Sequence, residues 1–571
     1  MRILLLVHGF NSLSQRLFAE LREAGHEVSV EFDINDDVLM EAVEMFRPDV
    51  VLASFLKRAI PEAVWRHHTC LIVHPGIVGD RGPSAVDWAI LDDEPRWGVT
   101  VLQAEAEMDA GPIWASAEFP MRPGTKSSLY RNEVTDAASE AVALALERIQ
   151  GAEFQPERAG PQAPGRLRPA MRQADREIDW PGDDTETVLR KIRSADGVPG
   201  VKDAGLGRTL YLHDAHPAPG LSGAPGTLVA RSGPAVACAT ANGAVWIGHM
   251  RAPDGDTPFK LPAVRVLAEA AAALPEVPID TPGGYQEICY EERDAVGFLH
   301  FRFYNGAMGT ERCRRLLAAY REAAARPTKV IVLMGGPDFW SNGMDLNELE
   351  AAASAAEASW ENINAIDDLA EAIIRTDSHL TVAALQGNAG AGGVFLARAA
   401  DRVWLRRGIV LNPHYKDMGN LFGSEFWTYL LPRHAGEANA GRISQARLPM
   451  STIEALELGL ADAVLDGAPD RFLAEVTNGA QAMAADGFDA AITEKARQRA
   501  AEEAVKPLTS YRQEELERMR RNFFGFDPSY HVARYNFVLK VPKSRTPVTL
   551  ARHRDRRVAD DPPDKAMRRA S

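Results

Sequence analysis

The sequence is poor in cysteine. Cys70, Cys238, Cys289 and Cys313 are the only four in 571 residues, and no two form a CxxC pair. That spacing excludes a disulfide framework and a cysteine-bound zinc, and it suits a reducing compartment. Long hydrophobic runs are also missing. No stretch approaches 18 apolar residues, and the first run, Ile3 to Val7, is too short for a signal-peptide core. The expectation is a soluble, cytoplasmic chain without membrane contact. Basic charge is short as well: 64 Lys+Arg against 79 Asp+Glu leave a net charge of −15. A general nucleic-acid binder would need a basic face. What is present is 46% hydrophobic and 25% charged, a globular composition long enough for about three or four domains.

Strand-like and helix-like patterns alternate through residues 1–160, beginning with Arg2 to Val7 and then Ser12 to Ala24. Such alternation predicts an α/β domain with a parallel sheet covered on both faces. The loop Gly160 to Gly165 marks a first break. A short basic helix near Thr187–Ser194 and brief strands at 226–230, 235–239 and 243–248 predict a small helix-plus-barrel domain. A Pro/Gly-rich stretch at 274–284 is the second break, and an α/β pattern resumes from Ile288. Beyond about residue 485 the chain reads as helical, then basic, with 11 Lys+Arg against 4 Asp+Glu from Arg534 to the end. The predicted domains are therefore 1–165, 166–273, 285–485 and a helical, basic tail at 486–571.

The first candidate site lies in the run Val73 to Pro83, just past an apolar strand, and in Glu107 to Pro112. His74 and Asp109, each following a strand, can converge as acid and base at an acyl centre. The run Ala24 to Val28, His74, Arg81-Gly82, Gly98 to Thr100 and Met108 to Gly111 resemble the formyltetrahydrofolate-dependent formyltransferases. Ile178 to Trp180, Arg190 to Arg193, Pro199-Gly200 and Pro225 to Thr227 resemble that family's C-terminal, OB-like barrel. The resemblance covers about residues 1–262 and implies a Rossmann-like domain using 10-formyltetrahydrofolate. Two departures stand out. The family's Asn-x-His has Ile72 at the Asn position, and the loop Gly76 to Gly79 is one residue short. Loss of one oxyanion donor typically costs ~10²–10³ in rate. A thiol acceptor, which ionises more readily than an ammonium loses its proton, demands less of the site. Between Arg166 and Pro262, 12 Lys+Arg face 11 Asp+Glu, so no basic field for tRNA exists. Arg190, Lys191 and Arg193 suit a few phosphates or a solvated helix face equally.

The second candidate site joins Asp338–Leu346 with Gly387–Gly393, two Gly-containing turns that each follow a strand and enter a helix. Paired turns of this kind can offer backbone N–H groups as an oxyanion hole. Phe339–Leu346 and Leu385–Gly393, with Asp401, Leu431 to Arg433 and Ile453 to Asp462, resemble the crotonase (enoyl-CoA hydratase/isomerase) superfamily over about residues 286–480. The resemblance implies a CoA-thioester ligand and assigns the oxyanion N–H groups to Met344 and Gly392. The hydratases' first catalytic Glu is replaced by Phe395, the second position holds Tyr415, and Glu425 stands where a glycine is usual. Without a carboxylate pair hydration is not expected; Tyr415 and Glu425 instead suit one proton at a formyl carbon or a departing sulfur.

The fusion of these halves, with Ile72, Phe395, Tyr415 and Glu425, resembles the NiFe-hydrogenase maturation factors HypX/HoxX. That resemblance implies formyl transfer from 10-formyltetrahydrofolate to coenzyme A, then splitting of formyl-CoA into CO and CoA. The expected CoA-phosphate ligands are Gln15, Arg131, Arg193, Ser194 and Arg545. Guanidinium forks suit phosphate better than lysine does. Other hydrogenase maturation proteins are the expected macromolecular partners, and no metal site is expected. Two other assignments fit the same residues: a CoA-thioester hydratase or hydrolase with a formyl-folate sensor, and a CoA-binding scaffold without catalysis.

Overall fold

The apolar run after Met1 forms strand β1 (Arg2–Val7), buried from Ile3 onward, as expected for a strand covered on both faces. The computed structural model describes residues 1–151, 153–253, 255 and 257–555. These divide into two compact units. The first holds Met1–Ala215, Thr240–Asn242 and the chain from Pro542; the second holds His216–Ala239 and Gly243–Val541.

In the first unit β1 is joined by β2 (Glu27–Phe32), β3 (Val50–Phe55), β4 (Thr69–His74), β5 (Arg96–Gln103) and β6 (Ile113–Pro120), in the order β2-β1-β3-β4-β5-β6. The first four are parallel, but β5 runs antiparallel to β4 and to β6. The all-parallel expectation is thereby corrected. Only the short loop 104–112 separates β5 from β6, too few residues for a crossover helix, so a hairpin forms. Helix Ser12–Glu23 starts at Asn11, whose side chain accepts the Ser14 N–H at 3.0 Å. Further along the chain, β7 (Val201–Asp203) pairs antiparallel with β8 (Leu210–Pro217).

The edge strand β2 is covered from the far end of the chain. Val30 N–H donates to the Leu550 carbonyl at 3.0 Å, and Phe32 N–H to Thr546 Oγ1 at 2.8 Å. Glu31, fully buried, accepts from His553 Nε2 at 3.0 Å and Arg554 at 2.8 Å. An open sheet edge is thus closed by pairing and charge. The tail expected at 486–571 is not one segment. Helices Phe488–Val505, Leu508–Phe524 and Ser529–Val538 belong to the second unit, and the described residues from Pro542 belong to the first. The rest of the expected basic tail, from residue 556, lies outside the described residues.

The second unit opens with antiparallel strands β9 (Leu228–Ser232), β10 (Ala235–Ala239), β11 (Ala244–Arg251) and β12 (Leu261–Pro262). No pairing among the described residues closes a barrel. Next come β13 (Ile288–Arg293), β14 (Val296–Phe301), β15 (Val330–Leu333), β16 (Phe339–Ser341), β17 (Leu380–Leu385), β18 (Asn388–Gly390), β19 (Arg402–Arg406), β20 (Leu411–Asn412) and β21 (Ala463–Leu465). The larger sheet has the order β13-β14-β15-β17-β19-β21, and β16-β18-β20 form a small parallel sheet. Alternation sorts the side chains: Ile331 and Leu333 of β15 pack with Leu316, Tyr320, Ile366 and Ile373 of two helices, while Val330 and Val332 pack with Phe472 and Val476.

Below this core Arg312, on helix Thr310–Ala324, is buried between carboxylates. Its Nε donates to Glu287 at 2.8 Å and its Nη1 to Asp345 at 3.1 Å. Breaking such a pair leaves an uncompensated buried charge, at a cost of about 3–5 kcal/mol. Arg312→Met should lower the urea midpoint by that much stability; a change under ~1 kcal/mol would show that Arg315, which also contacts Glu287, carries the load alone.

Candidate active sites

The first site grows from the end of β4. His74 is buried, and its imidazole sits between two carboxylates. Nε2 lies 3.1 Å from Asp80 Oδ2, and Nδ1 lies 3.5 Å from Asp109 Oδ2. The Gly76–Gly82 loop folds back over the histidine, which is why Gly76 must lack a side chain: a Cβ there would stand 2.4 Å from His74 Nε2. Thr100, opposite His74 in the β4–β5 register, donates to the Gly76 carbonyl at 2.8 Å and pins the loop. Arg168 Nε lies 3.2 Å from Asp80 Oδ1. Asp109 takes the left-handed conformation (φ +53°) and accepts the Gly82 N–H at 3.1 Å.

His74 and Asp109 therefore meet, but the sequence reading missed the nearer partner, Asp80. It lies inside the run Val73 to Pro83, six residues after His74, where a glycine-flanked turn can bring a carboxylate back. Ile72 shares the His74 face of β4 by strand alternation and packs partly buried against the cluster of Leu4, Leu6, Val51 and Ala53.

The five expected phosphate ligands all lie in the first unit. Gln15 is on helix Ser12–Glu23, where its Nε2 donates to the Phe10 carbonyl at 2.9 Å. That helix packs against helix Lys126–Arg131, which ends with Arg131. Ser127, on the same helix, donates to Asp196 at 3.0 Å, two residues beyond Ser194. Arg193 ends helix Thr185–Arg193, partly buried, and desolvation lowers its pKa. Ser194 is buried and donates to the Lys191 carbonyl at 2.8 Å. Gln15, Arg131 and the Arg193–Ser194 pair are thus on neighbouring elements. Arg545 is engaged elsewhere, donating to Glu41 at 2.8 Å.

The second site grows from the helix start after β18. Gly392 begins helix Gly392–Arg398, so its N–H has no partner within the helix. A Cβ on Gly343, the residue before Met344, would meet Gly392 N at 3.6 Å, so the two expected N–H donors lie on adjoining turns. Gly392 is itself obligatory, because a Cβ there would fall 1.9 Å from Glu425 Oε1. Tyr415 donates its hydroxyl to Glu425 Oε2 at 2.5 Å. The Phe395 ring packs against the Tyr415 ring, tilted by 31° with centroids 5.4 Å apart. The expected four residues of this site therefore converge.

What the sequence concealed is the support for Glu425. Glu425 and Phe426 are both left-handed, at φ +60° and +59°, a strain of about 1–3 kcal/mol each. Asp367 Oδ1 accepts the Glu425 N–H at 2.9 Å, and Glu515 Oε2 accepts the Phe426 N–H at 2.9 Å. Burial, then the neighbouring Asp367, pushes the Glu425 carboxyl up to about 8. The same two causes raise Glu515 to about 8, and burial raises Asp367 to about 6. Burial and then Glu425 raise the Tyr415 phenol well above its ordinary value. The resting pair is a proton-bearing one. Asp367 and Glu515 sit on helices Ala355–Arg375 and Leu508–Phe524 with ordinary helical surroundings in sequence, which is why no local pattern marks them.

Among the described residues no cluster of His, Cys, Asp or Glu could hold a metal ion, and no helix is long and apolar enough to cross a membrane.

Comparison with known proteins matches three family models: formyl transferase over residues 31–146, formyl transferase C-terminal domain over 170–258, and enoyl-CoA hydratase/isomerase over 304–525. The chain is 59% identical over 569 residues to the hydrogenase maturation factor HoxX of Bradyrhizobium diazoefficiens, covering 98% of this chain and 99% of that protein. It is 27% identical over 220 residues to a methionyl-tRNA formyltransferase of Variovorax paradoxus, 38% of this chain and 68% of that one. The crystal structure of HypX from Aquifex aeolicus in complex with tetrahydrofolic acid superposes with a TM-score of 0.94 at 48% identity, covering 97% and 99% of the two chains.

Proposed function

Because the chain belongs to the HypX/HoxX hydrogenase maturation factors, we propose that it makes carbon monoxide in two steps. The first is formyl transfer from 10-formyltetrahydrofolate to the thiol of coenzyme A. The second is decarbonylation of formyl-CoA to CO and CoA. The folate is supported by the relative crystallised with tetrahydrofolic acid and by the formyl transferase matches. The thioester is supported by the enoyl-CoA hydratase/isomerase match.

In the first step His74 takes the thiol proton as sulfur bonds to the formyl carbon, and returns it to the folate nitrogen as the C–N bond breaks. Asp80 and Asp109 orient the ring and stabilise its positive charge. Ile72 provides no hydrogen-bond donor, which a thiol acceptor tolerates better than an amine would. Gln15, Arg131, Arg193, Ser194 and Arg545 are the proposed CoA ligands; Arg545 must exchange Glu41 for a phosphate to serve.

In the second step Gly392 and Met344 N–H groups polarise the thioester oxygen. Glu425, protonated at neutral pH, donates to the departing sulfur and then takes the formyl proton. The C–S electron pair leaves with sulfur and the C–H pair remains on carbon as the lone pair of CO, so no oxidant or reductant is required. The observation that carries this reading is the buried Tyr415–Glu425 pair pressed against Gly392 in a site where Phe395 rules out a hydratase carboxylate pair. The full-length protein incubated with 10-formyltetrahydrofolate and CoA should release CO that a reduced haem protein traps, in proportion to the tetrahydrofolate formed. CO at the level of a control lacking CoA would overturn the proposal.

A further inference from the structure

Behind Glu425 a single hydroxyl stands between two carboxyl groups. Ser424 Oγ is 2.8 Å from Asp367 Oδ2 and 3.3 Å from Glu515 Oε2. A hydroxyl has one proton to donate. It satisfies one carboxyl; the other contact opposes two oxygens unless that carboxyl keeps its own proton and donates it to the serine. Asp367, Glu425 and Glu515 are at most 1% exposed. Among the described residues no lysine or arginine pairs with any of the three. Arg512, the cation acting on Asp367 from a distance, is bonded instead to Asp368 and Glu371. Three buried carboxylates without a paired cation would be prohibitively costly, so protons stay.

We infer that Asp367, Ser424 and Glu515 share a proton across the serine hydroxyl and thereby set the protonation and pose of Glu425. Asp367 and Glu515 are positioning residues, because they act through Glu425. Their roles as acceptors for the strained 425–426 backbone need no proton, so proton retention is a separate property. The groups that face this cluster are Tyr415 on its own loop, Cys313 from helix Thr310–Ala324, Asp368 and Glu371 beside Asp367, and Arg512 beside Glu515. Among the described residues Arg512 is the one cation in that ring, and it is already bonded to Asp368 and Glu371. What Glu425 does with its proton rests on the function proposed above; the shared proton itself does not.

Infrared pH titration of the full-length protein separates the two. The wild type at pH 7 should show the C=O stretch of a protonated, D₂O-sensitive carboxylic acid, reduced in both Asp367→Asn and Glu515→Gln. In Asp367→Asn, removal of the neighbouring negative charge should lower the Glu425 titration by about one pH unit, and the alkaline limb of CO release should move down with it. If a carboxamide variant fails to fold, Ser424→Ala keeps all three carboxyls and removes only the bridge; its acid band should change position and titrate differently. A wild type without the band, or a band unchanged in Asp367→Asn, Glu515→Gln and Ser424→Ala, overturns the inference. A wild type whose band falls in Asp367→Asn and Glu515→Gln but that releases no CO supports the shared proton and refutes decarbonylation.

Discussion

Glu425→Gln should lower CO release from supplied formyl-CoA by roughly 10²–10⁴-fold, the usual contribution of a positioned general acid and base. The expected effect is large because in the proposed mechanism one carboxyl serves twice, giving a proton to sulfur and then taking one from carbon. Gln fills the same space against Gly392 and can still accept the Tyr415 hydrogen bond, so the loss reports proton transfer rather than collapse of the site. Formyl-CoA should accumulate when the variant is supplied with 10-formyltetrahydrofolate and CoA. In the wild type CO release should decline as pH rises through about 8, where Glu425 loses its proton. Stability follows the same sign. Glu425 and Glu515 are raised from an ordinary 4.5 to about 8, and Asp367 from 3.8 to about 6. The native state therefore holds more protons than the unfolded one. The contribution is fully present below about pH 4 and is lost as pH climbs to 8. Denaturation midpoints across that range should show a downward slope from these groups that Glu425→Gln makes shallower. Near-wild-type CO release by the variant would remove Glu425 from the mechanism.

His74→Ala should reduce tetrahydrofolate production from 10-formyltetrahydrofolate and CoA by about 10²–10⁴-fold while CO release from supplied formyl-CoA persists. The reason is local. The imidazole lies between Asp80 and Asp109 and contacts both, and alanine leaves the two carboxylates without that proton shuttle. Asp80→Asn should also slow the step. Its closer approach to the ring, 3.1 Å against 3.5 Å, predicts a larger effect than Asp109→Asn. The two supplied-substrate assays form a crossed test: Glu425→Gln spares the first step and His74→Ala the second. A His74→Ala protein that still forms formyl-CoA at near-wild-type rate would leave that histidine a packing residue.

Much of this was readable from sequence because it is local. A continuous apolar run located the covered strand β1, and the alternation of such runs with helical patterns located the two α/β regions, since burial on both faces leaves no polar alternation along a strand. Gly76 and Gly392 lay inside the candidate motifs, and the structure shows a histidine and a carboxylate filling the space a Cβ would occupy at each. Phe395, Tyr415 and Glu425 were noticeable as departures from a hydratase pattern, and they do pack together. Asp80 was within view but passed over for Asp109, because strand-end placement suggested a partner on a neighbouring strand rather than on the returning loop. Asp367 and Glu515 lay 58 and 90 residues from Glu425 in ordinary helical sequence. The antiparallel turn of β5 and β6 escaped because a βα rhythm does not report strand direction.

By itself, then, the order of residues set the α/β class and the two chemical neighbourhoods and singled out His74, Gly392, Tyr415 and Glu425 as candidates, since each stands at a strand end, turn or helix start within a recognisable local motif. Only the tertiary structure decided which carboxylates lean on those residues, that Glu31 holds the C-terminal segment against β2, and that Glu425 keeps its proton near neutral pH. Proton affinity is set by desolvation and by charges brought close from distant parts of the chain, and neither exists until the helices have packed.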